Sequence, residues 1–183
     1  MPTTRKAAVK SMKKPASKTT AKPAAKKLAK TVKSMGKAPD FTLPTAKGNV
    51  SLKKLKGKKV VLYFYPKDDT SGCTKQACGF QDNLPQFKKA GAVVIGISKD
   101  DLKSHQKFAK KYGLNFDLAS DEDTKVAKAY GAWVEKSMYG RKYMGMDRST
   151  FLIDEKGNVT REWRKVKVPG HVKEVLGEVK KLA

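Results

Sequence analysis

Two apolar runs rich in Val and Ile, residues 59–65 and Ala92–Ser98, are separated by a segment of helical length. This spacing constrains the fold more than any other feature of the chain. Each run has the length of a buried strand. Between them Ala77, Phe80, Leu84 and Phe87 recur at helical spacing, which predicts a helix over 73–89. Strand, helix and strand make a β-α-β unit, and the crossover lets the two runs lie side by side and parallel.

The remaining pattern extends this unit. Residues 41–43 and 49–51 flank a turn at Gly48 and predict a short hairpin. Asp100 or Asp101 can cap a helix that runs to Tyr112 and closes at Gly113. Residues 116–119 read as a short strand, and Asp121, Glu122 and Asp123 open another helix ending near Gly131. Residues 149–154 and 158–163 read as an antiparallel hairpin turning at Glu155-Lys156-Gly157. Pro169 starts a last helix that runs to Leu182. The predicted class is α/β, a mixed central sheet with helices on both faces. An α/β unit closed by an antiparallel hairpin and a helix resembles a thioredoxin-like fold.

Charge divides the chain unevenly. Of 183 residues, 41 are Lys or Arg and 17 are Asp or Glu, a formal net charge of +24. Residues 1–39 hold 11 Lys, Arg5 and no acid, so they carry +12. The other 144 residues hold 29 basic and 17 acidic residues, also +12. The N-terminal stretch is built from Lys, Ala, Pro, Ser and Thr, repeats Lys-Pro-Ala at 14–16 and 22–24, and has no aromatic residue before Phe41. Such a segment cannot bury enough apolar surface to offset its chain entropy. We therefore divide the chain into a disordered basic tail, residues 1–36, and a folded domain, residues 37–183.

Within the tail, Leu28, Val32 and Met35 fall at helical spacing, which suits a helix formed on a partner. The tail's composition resembles the C-terminal tails of linker histones and histone-like bacterial proteins. Lys without base-reading side chains suits phosphates, so nonspecific nucleic-acid binding by residues 1–36 is one reading. A solubilising tail or contact with acidic proteins is another. A transit peptide is a third, and the single Arg counts against it.

Several classes are excluded. No apolar run approaches the length of a spanning helix, and the basic N-terminus has no apolar stretch behind it, so neither a membrane partner nor a secretory signal is expected. A cytoplasmic protein follows, with nucleoid or nuclear association through the tail. Two Cys rule out a disulfide-rich scaffold, and with two His a single zinc site would need all four side chains. No metal or cofactor is expected. Thiols stay reduced inside cells, so the Cys pair reads as reactive rather than structural.

The informative segment is Pro66-Lys67-Asp68-Asp69-Thr70-Ser71-Gly72-Cys73-Thr74-Lys75-Gln76-Ala77-Cys78. It follows the first strand and enters the helix, which places Cys73 in the first helical turn. Unpaired N–H groups and the positive end of the helix dipole lie there, and both favour thiolate over thiol. Thr70 can turn its hydroxyl toward the same point, and Pro66 can fix the loop and shield the sulfur. Cys78 lies five positions on, about 8.6 Å away at Cα on an intact helix and about 140° around its axis. A disulfide spans at most about 7 Å, so these two Cys can bond only if the first turns unwind. Packing of small buried residues is the competing reading for both, more so for Cys78.

Pro-x-x-x-Thr-x-x-Cys, here Pro66, Thr70 and Cys73, resembles the active-site motif of the peroxiredoxins. Gly72-Cys73-Thr74-Lys75-Gln76-Ala77-Cys78-Gly79-Phe80 is similar to the signature of the bacterioferritin comigratory protein, or peroxiredoxin Q, subfamily. So are the stretches 131–133, 143–145, 148–154 and 163–167. The resemblance covers residues 38–183 and leaves the tail outside it. It implies a thioredoxin fold and an atypical 2-Cys, thioredoxin-dependent thiol peroxidase without cofactor. It implies Cys73 as the peroxidatic Cys and Cys78 as the resolving Cys, joined in an intramolecular disulfide. It places Thr70 and Arg148 as polar contacts in the peroxide pocket, with Pro66 and Gly72 lining it. A surface ion pair is the other reading of Arg148. Hydrogen peroxide and organic hydroperoxides are the implied substrates, thioredoxin or a similar dithiol protein the reductant, and the chain is taken as a monomer. His105 and His171 read as ordinary surface residues. Two other functions compete: a nucleic-acid-associated protein that protects DNA, and a relay that passes its disulfide to a partner.

Overall fold

The computed structural model describes residues 36–182. The tail through residue 35, and with it the helix suggested over 24–35, lies outside the described residues. In chain order the elements are β1 (Thr42–Thr45), β2 (Gly48–Ser51), a 3₁₀ turn (Leu52–Leu55), β3 (Lys59–Phe64), α1 (Ser71–Asp82) and α2 (Leu84–Lys89). There follow β4 (Ala92–Ser98), α3 (Leu102–Tyr112), β5 (Asp117–Ser120) and α4 (Lys125–Ala129). The chain ends with β6 (Trp133–Met138), β7 (Arg141–Met146), β8 (Ser149–Ile153), β9 (Val159–Trp163) and α5 (His171–Lys181).

Seven strands form one mixed sheet in the order β2-β1-β5-β4-β3-β8-β9. β3, β4 and β5 are parallel, as the β-α-β spacing requires, and Val60 pairs with Val93 in register. β8 runs antiparallel to β3, with Leu62 opposite Phe151, and β9 closes the edge. Alternate residues of β3 feed two cores. Val60, Leu62 and Phe64 pack toward α4 with Ile95, Ile97, Phe151 and Tyr130. Val61, Tyr63 and Tyr65 pack toward α1, α2, α3 and α5 with Phe80, Phe87, Phe108 and Val175. The sheet therefore has helices on both faces, four of them on the second. Gly96 in β4 makes room for Tyr63: a Cβ there would lie 2.7 Å from the Tyr63 hydroxyl oxygen.

Three local departures from the sequence reading have clear causes. The helix expected over 73–89 is two helices that share Asn83 as cap, because Pro85 supplies no amide and cannot continue α1. The helix expected from Asp121 begins at Lys125, and the Asp121 carboxylate instead accepts from the amides of Val126 and Ala127. The β6–β7 hairpin forms a separate two-stranded sheet that no alternation of apolar residues announces, since much of both faces is exposed. Asp101, not Asp100, caps α3, accepting from the Ser104 amide at 2.7 Å.

Candidate active site

β3 delivers the chain to the segment 66–70, and α1 begins at Ser71. The intervening loop is fastened at its middle. Asp68 is buried, and its carboxylate accepts from the hydroxyls of Tyr65 and Ser104, each at 2.7 Å, and meets His105 Nδ1 at 2.8 Å. Its amide donates to Asp100 Oδ2 at 2.8 Å, which the Ser98 hydroxyl also holds. Burial alone would push the Asp68 carboxyl up, but the bonds and charge from His105, with Ser104 and Tyr65, hold it below the usual range. Asp69 has φ 55 and is paired with Lys111 at 2.7 Å and Tyr112 at 2.6 Å.

Cys73 is the third residue of α1 and is 1% exposed. The Thr74 amide already bonds the Thr70 carbonyl at 2.8 Å. The amides before it lie in the first turn, where no intrahelical acceptor exists, so the positive end of the helix surrounds the sulfur. Arg148 completes the charge. Its Nη2 donates to Cys73 Sγ at 3.3 Å and its Nη1 to Gln76 Oε1 at 2.7 Å. The backbone of Arg148 is pinned too, its carbonyl accepting from the Val166 amide at 2.9 Å. Gly72 is what lets the guanidinium approach, since a Cβ there would stand 3.1 Å from Nη2. The guanidinium thus faces a thiol and an amide rather than the carboxylate of a surface pair.

The remaining expected residues are more loosely placed. The exposed Thr70 hydroxyl donates to the Lys67 carbonyl at 3.1 Å. Pro66 is exposed and, with Lys67, lines a cleft of about 420 Å³ whose other wall is Trp133, Lys136, Tyr143 and Met146. Cys73 is not among the residues lining that cleft. Cys78 is a half-buried free thiol farther along α1, pushed up by burial and then by the Asp82 carboxylate.

Both histidines differ from the surface positions expected of them. His105 is 1% exposed and His171 is 4% exposed. His105 is drawn inside by Asp68, a partner whose placement depends on α3 packing beside the motif loop. His171 meets the Thr150 hydroxyl at 2.8 Å and packs edge-on against Trp163 and Phe80. Sequence reasoning also missed Gln76. The signal was present, because Gln76 follows Cys73 by three residues and so shares its helix face.

The comparisons with known proteins give the family. Residues 35–162 match the AhpC/TSA family. A chain of Coxiella burnetii named as a Bcp peroxiredoxin is 60% identical over 144 residues, covering 78% of this chain and 95% of the relative. Xanthomonas campestris Peroxiredoxin Q is 44% identical at a TM-score of 0.75, covering 77% of this chain and 90% of that one. A second Xanthomonas campestris structure, of a bacterioferritin comigratory protein studied for alkyl peroxide reduction, is 43% identical at a TM-score of 0.74, with 77% and 90% covered. The chain belongs to the AhpC/TSA family, as a peroxiredoxin of the Bcp, or peroxiredoxin Q, kind.

Proposed function

We propose that the chain reduces hydrogen peroxide and organic hydroperoxides through Cys73 and an intramolecular Cys73–Cys78 disulfide. The observation that carries this is the Arg148 guanidinium 3.3 Å from a sulfur at the start of α1. The alkyl peroxide reduction of the Xanthomonas campestris relative supports the organic substrates.

The Cys73 thiolate attacks one peroxide oxygen. An S–O bond forms and the O–O bond breaks, leaving sulfenic acid and an alkoxide or hydroxide that takes up a proton. Negative charge grows on the leaving oxygen, and Arg148 with the first-turn amides is aimed where it grows. Thr70 spends its hydroxyl proton on Lys67, so its lone pairs are free to accept from the peroxide O–H. The first turn of α1 then unwinds, and Cys78 attacks Cys73 Sγ. The S–S bond forms, the S–O bond breaks, and the hydroxide leaves as water with the Cys78 proton.

Thioredoxin or a similar dithiol protein reduces the disulfide by attack on one sulfur, through a mixed disulfide that its second thiol resolves. Both cysteines belong to one helix, so a monomer is sufficient, and a cytoplasmic location supplies the reductant. Pro66 and Gly72 line the approach to the sulfur. We assign residues 1–36 to nonspecific contact with nucleic acid on the strength of their charge and composition. The reading is tested by following peroxide consumption in Cys73→Ser and Cys78→Ser variants. Turnover retained without Cys73 overturns it.

A further inference from the structure

The β6–β7 hairpin holds every large apolar side chain that is markedly exposed among the described residues: Met138, Tyr139, Tyr143 and Met144. Clustered exposure of this kind marks a contact surface rather than ordinary scatter. The hairpin tip carries a second sign. Tyr139 and Gly140 form its turn with φ of 52 and 76. That conformation suits Asn-Gly, and an aromatic residue there is strained. Tyr139 is 97% exposed, so no packing within the chain repays the strain.

The hairpin is also joined to the reacting centre. β7 ends at Met146, and Arg148 follows after a single residue. Tyr143 shares the 420 Å³ cleft with Pro66 and Lys67 of the motif loop. The surroundings are basic. Lys67, Lys99 and Lys136 border the cleft, and Arg141 and Lys142 flank the turn. The nearby acids are engaged. Glu135 lies 3.1 Å from Lys142, Asp147 lies 3.9 Å from Lys136, and Asp100 holds Ser98 and the Asp68 amide.

We propose that the β6–β7 hairpin and the adjoining cleft dock the protein reductant, a dithiol protein that presents an apolar active-site face rimmed by carboxylates. The proposal rests on the thiol-peroxidase reading above. A second copy of this chain is a poorer occupant, because its basic rim would meet an equally basic rim. Contact through Tyr139 and Tyr143 brings the partner's thiol to the segment where the unwound disulfide emerges. The aromatic side chain at the strained turn serves the partner, not the fold.

The test compares two reductants, purified thioredoxin and dithiothreitol, in steady-state peroxide reduction by the full chain. Dithiothreitol reaches the disulfide without docking. Tyr139→Asn relieves the turn, so the fold is at least as stable, yet KM for thioredoxin is expected to rise about tenfold, the loss of one moderate contact. Arg141→Glu with Lys142→Glu is expected to do the same, and to remove most of the salt dependence of KM. KM for peroxide and the rate with dithiothreitol stay unchanged in both variants. An unchanged KM for thioredoxin, or a raised KM for peroxide instead, overturns the docking assignment. So does a parent protein that turns over with dithiothreitol but not with thioredoxin, and that result leaves the peroxidase reading intact. A parent inactive with either reductant overturns both.

Discussion

Arg148 Nη2 lies 3.3 Å from Cys73 Sγ although 75 residues of chain separate them. β8 pairs with β3 in the register Phe64–Ser149, which sets the residue before Ser149 beside the loop that follows Phe64. Gln76 then holds the other guanidinium nitrogen at 2.7 Å. One planar side chain is fixed against both Cys73 and the helix that carries it. Lys has a single point charge and cannot bridge the two.

Arg148→Lys is therefore expected to slow the reaction of Cys73 with peroxide about a hundredfold, the size seen when one charge-stabilising donor is lost. Gln76→Ala leaves the guanidinium in place but unbraced, and is expected to slow the same step by a smaller factor. Rapid-mixing measurement of Cys73 oxidation separates this step from reductant turnover. Equal rates in parent and Arg148→Lys protein would remove Arg148 from the chemistry.

Cys73 and Cys78 occupy the same intact helix, so disulfide formation requires α1 to lose its first turns. Peroxide treatment of the parent protein is expected to lower its helical circular dichroism, and Cys78→Ser protein is expected to stop at sulfenic acid with its helix content preserved. Loss of helix in both proteins would separate unwinding from disulfide formation.

Asp68 and His105 form a pair that is nearly excluded from solvent, at 2.8 Å. Removal of one partner from a buried hydrogen bond costs about 1–3 kcal/mol. His105→Asn is expected to destabilise the fold by that order in urea unfolding. Because Asp68 sits two residues before Thr70, the variant is also expected to react more slowly with peroxide. A double-mutant cycle with Asp68→Asn checks the coupling, and additive effects would mean that the two side chains act independently.

His171 supplies a pH dependence. Burial lowers its pKa to about 4 from 6.5, against a small opposing effect of Glu174. The folded state then binds fewer protons than the unfolded state across that window. Stability is whole above about pH 6.5 and falls as pH drops through the window, by about 3 kcal/mol in all. His171→Gln is expected to be less stable near neutral pH, through loss of its packing and its Thr150 contact, but to show a flatter profile. Urea midpoints measured from about pH 7.5 to about pH 5 give the slopes. Identical slopes in the two proteins would assign the acid sensitivity elsewhere.

The tail predicts a salt signature. Its +11 over residues 1–36 is expected to give nucleic-acid binding that weakens with salt at a log–log slope of about −0.9 per phosphate contacted on duplex DNA. A chain without residues 1–36 is expected to lose most of that binding and keep its peroxidase rate. Filter binding across salt checks both, and binding insensitive to salt would end the assignment.

The parallel β3–β4 pair, the antiparallel β8–β9 hairpin and the helix behind Cys73 were legible because each rests on local periodicity and turn chemistry. The motif around Cys73 was legible for the same reason: helix start, Thr70 and Pro66 are neighbours along the chain. Pro85, a breaker within the predicted helix, is the local signal for its division into α1 and α2. The β6–β7 hairpin was hidden because exposed strands do not alternate.

What the sequence alone determined, then, is the place of Cys73 at a helix start, the position of Cys78 on the same helix, and the division of charge along the chain. The Arg148 contact with Cys73, the burial of His105 against Asp68 and of His171 beneath Trp163, and the cleft between Pro66 and Tyr143 were decided only by the tertiary structure. Each depends on strand register or helix packing between residues far apart in the chain. No local propensity encodes those distances; they are fixed when the sheet closes and its two cores fill.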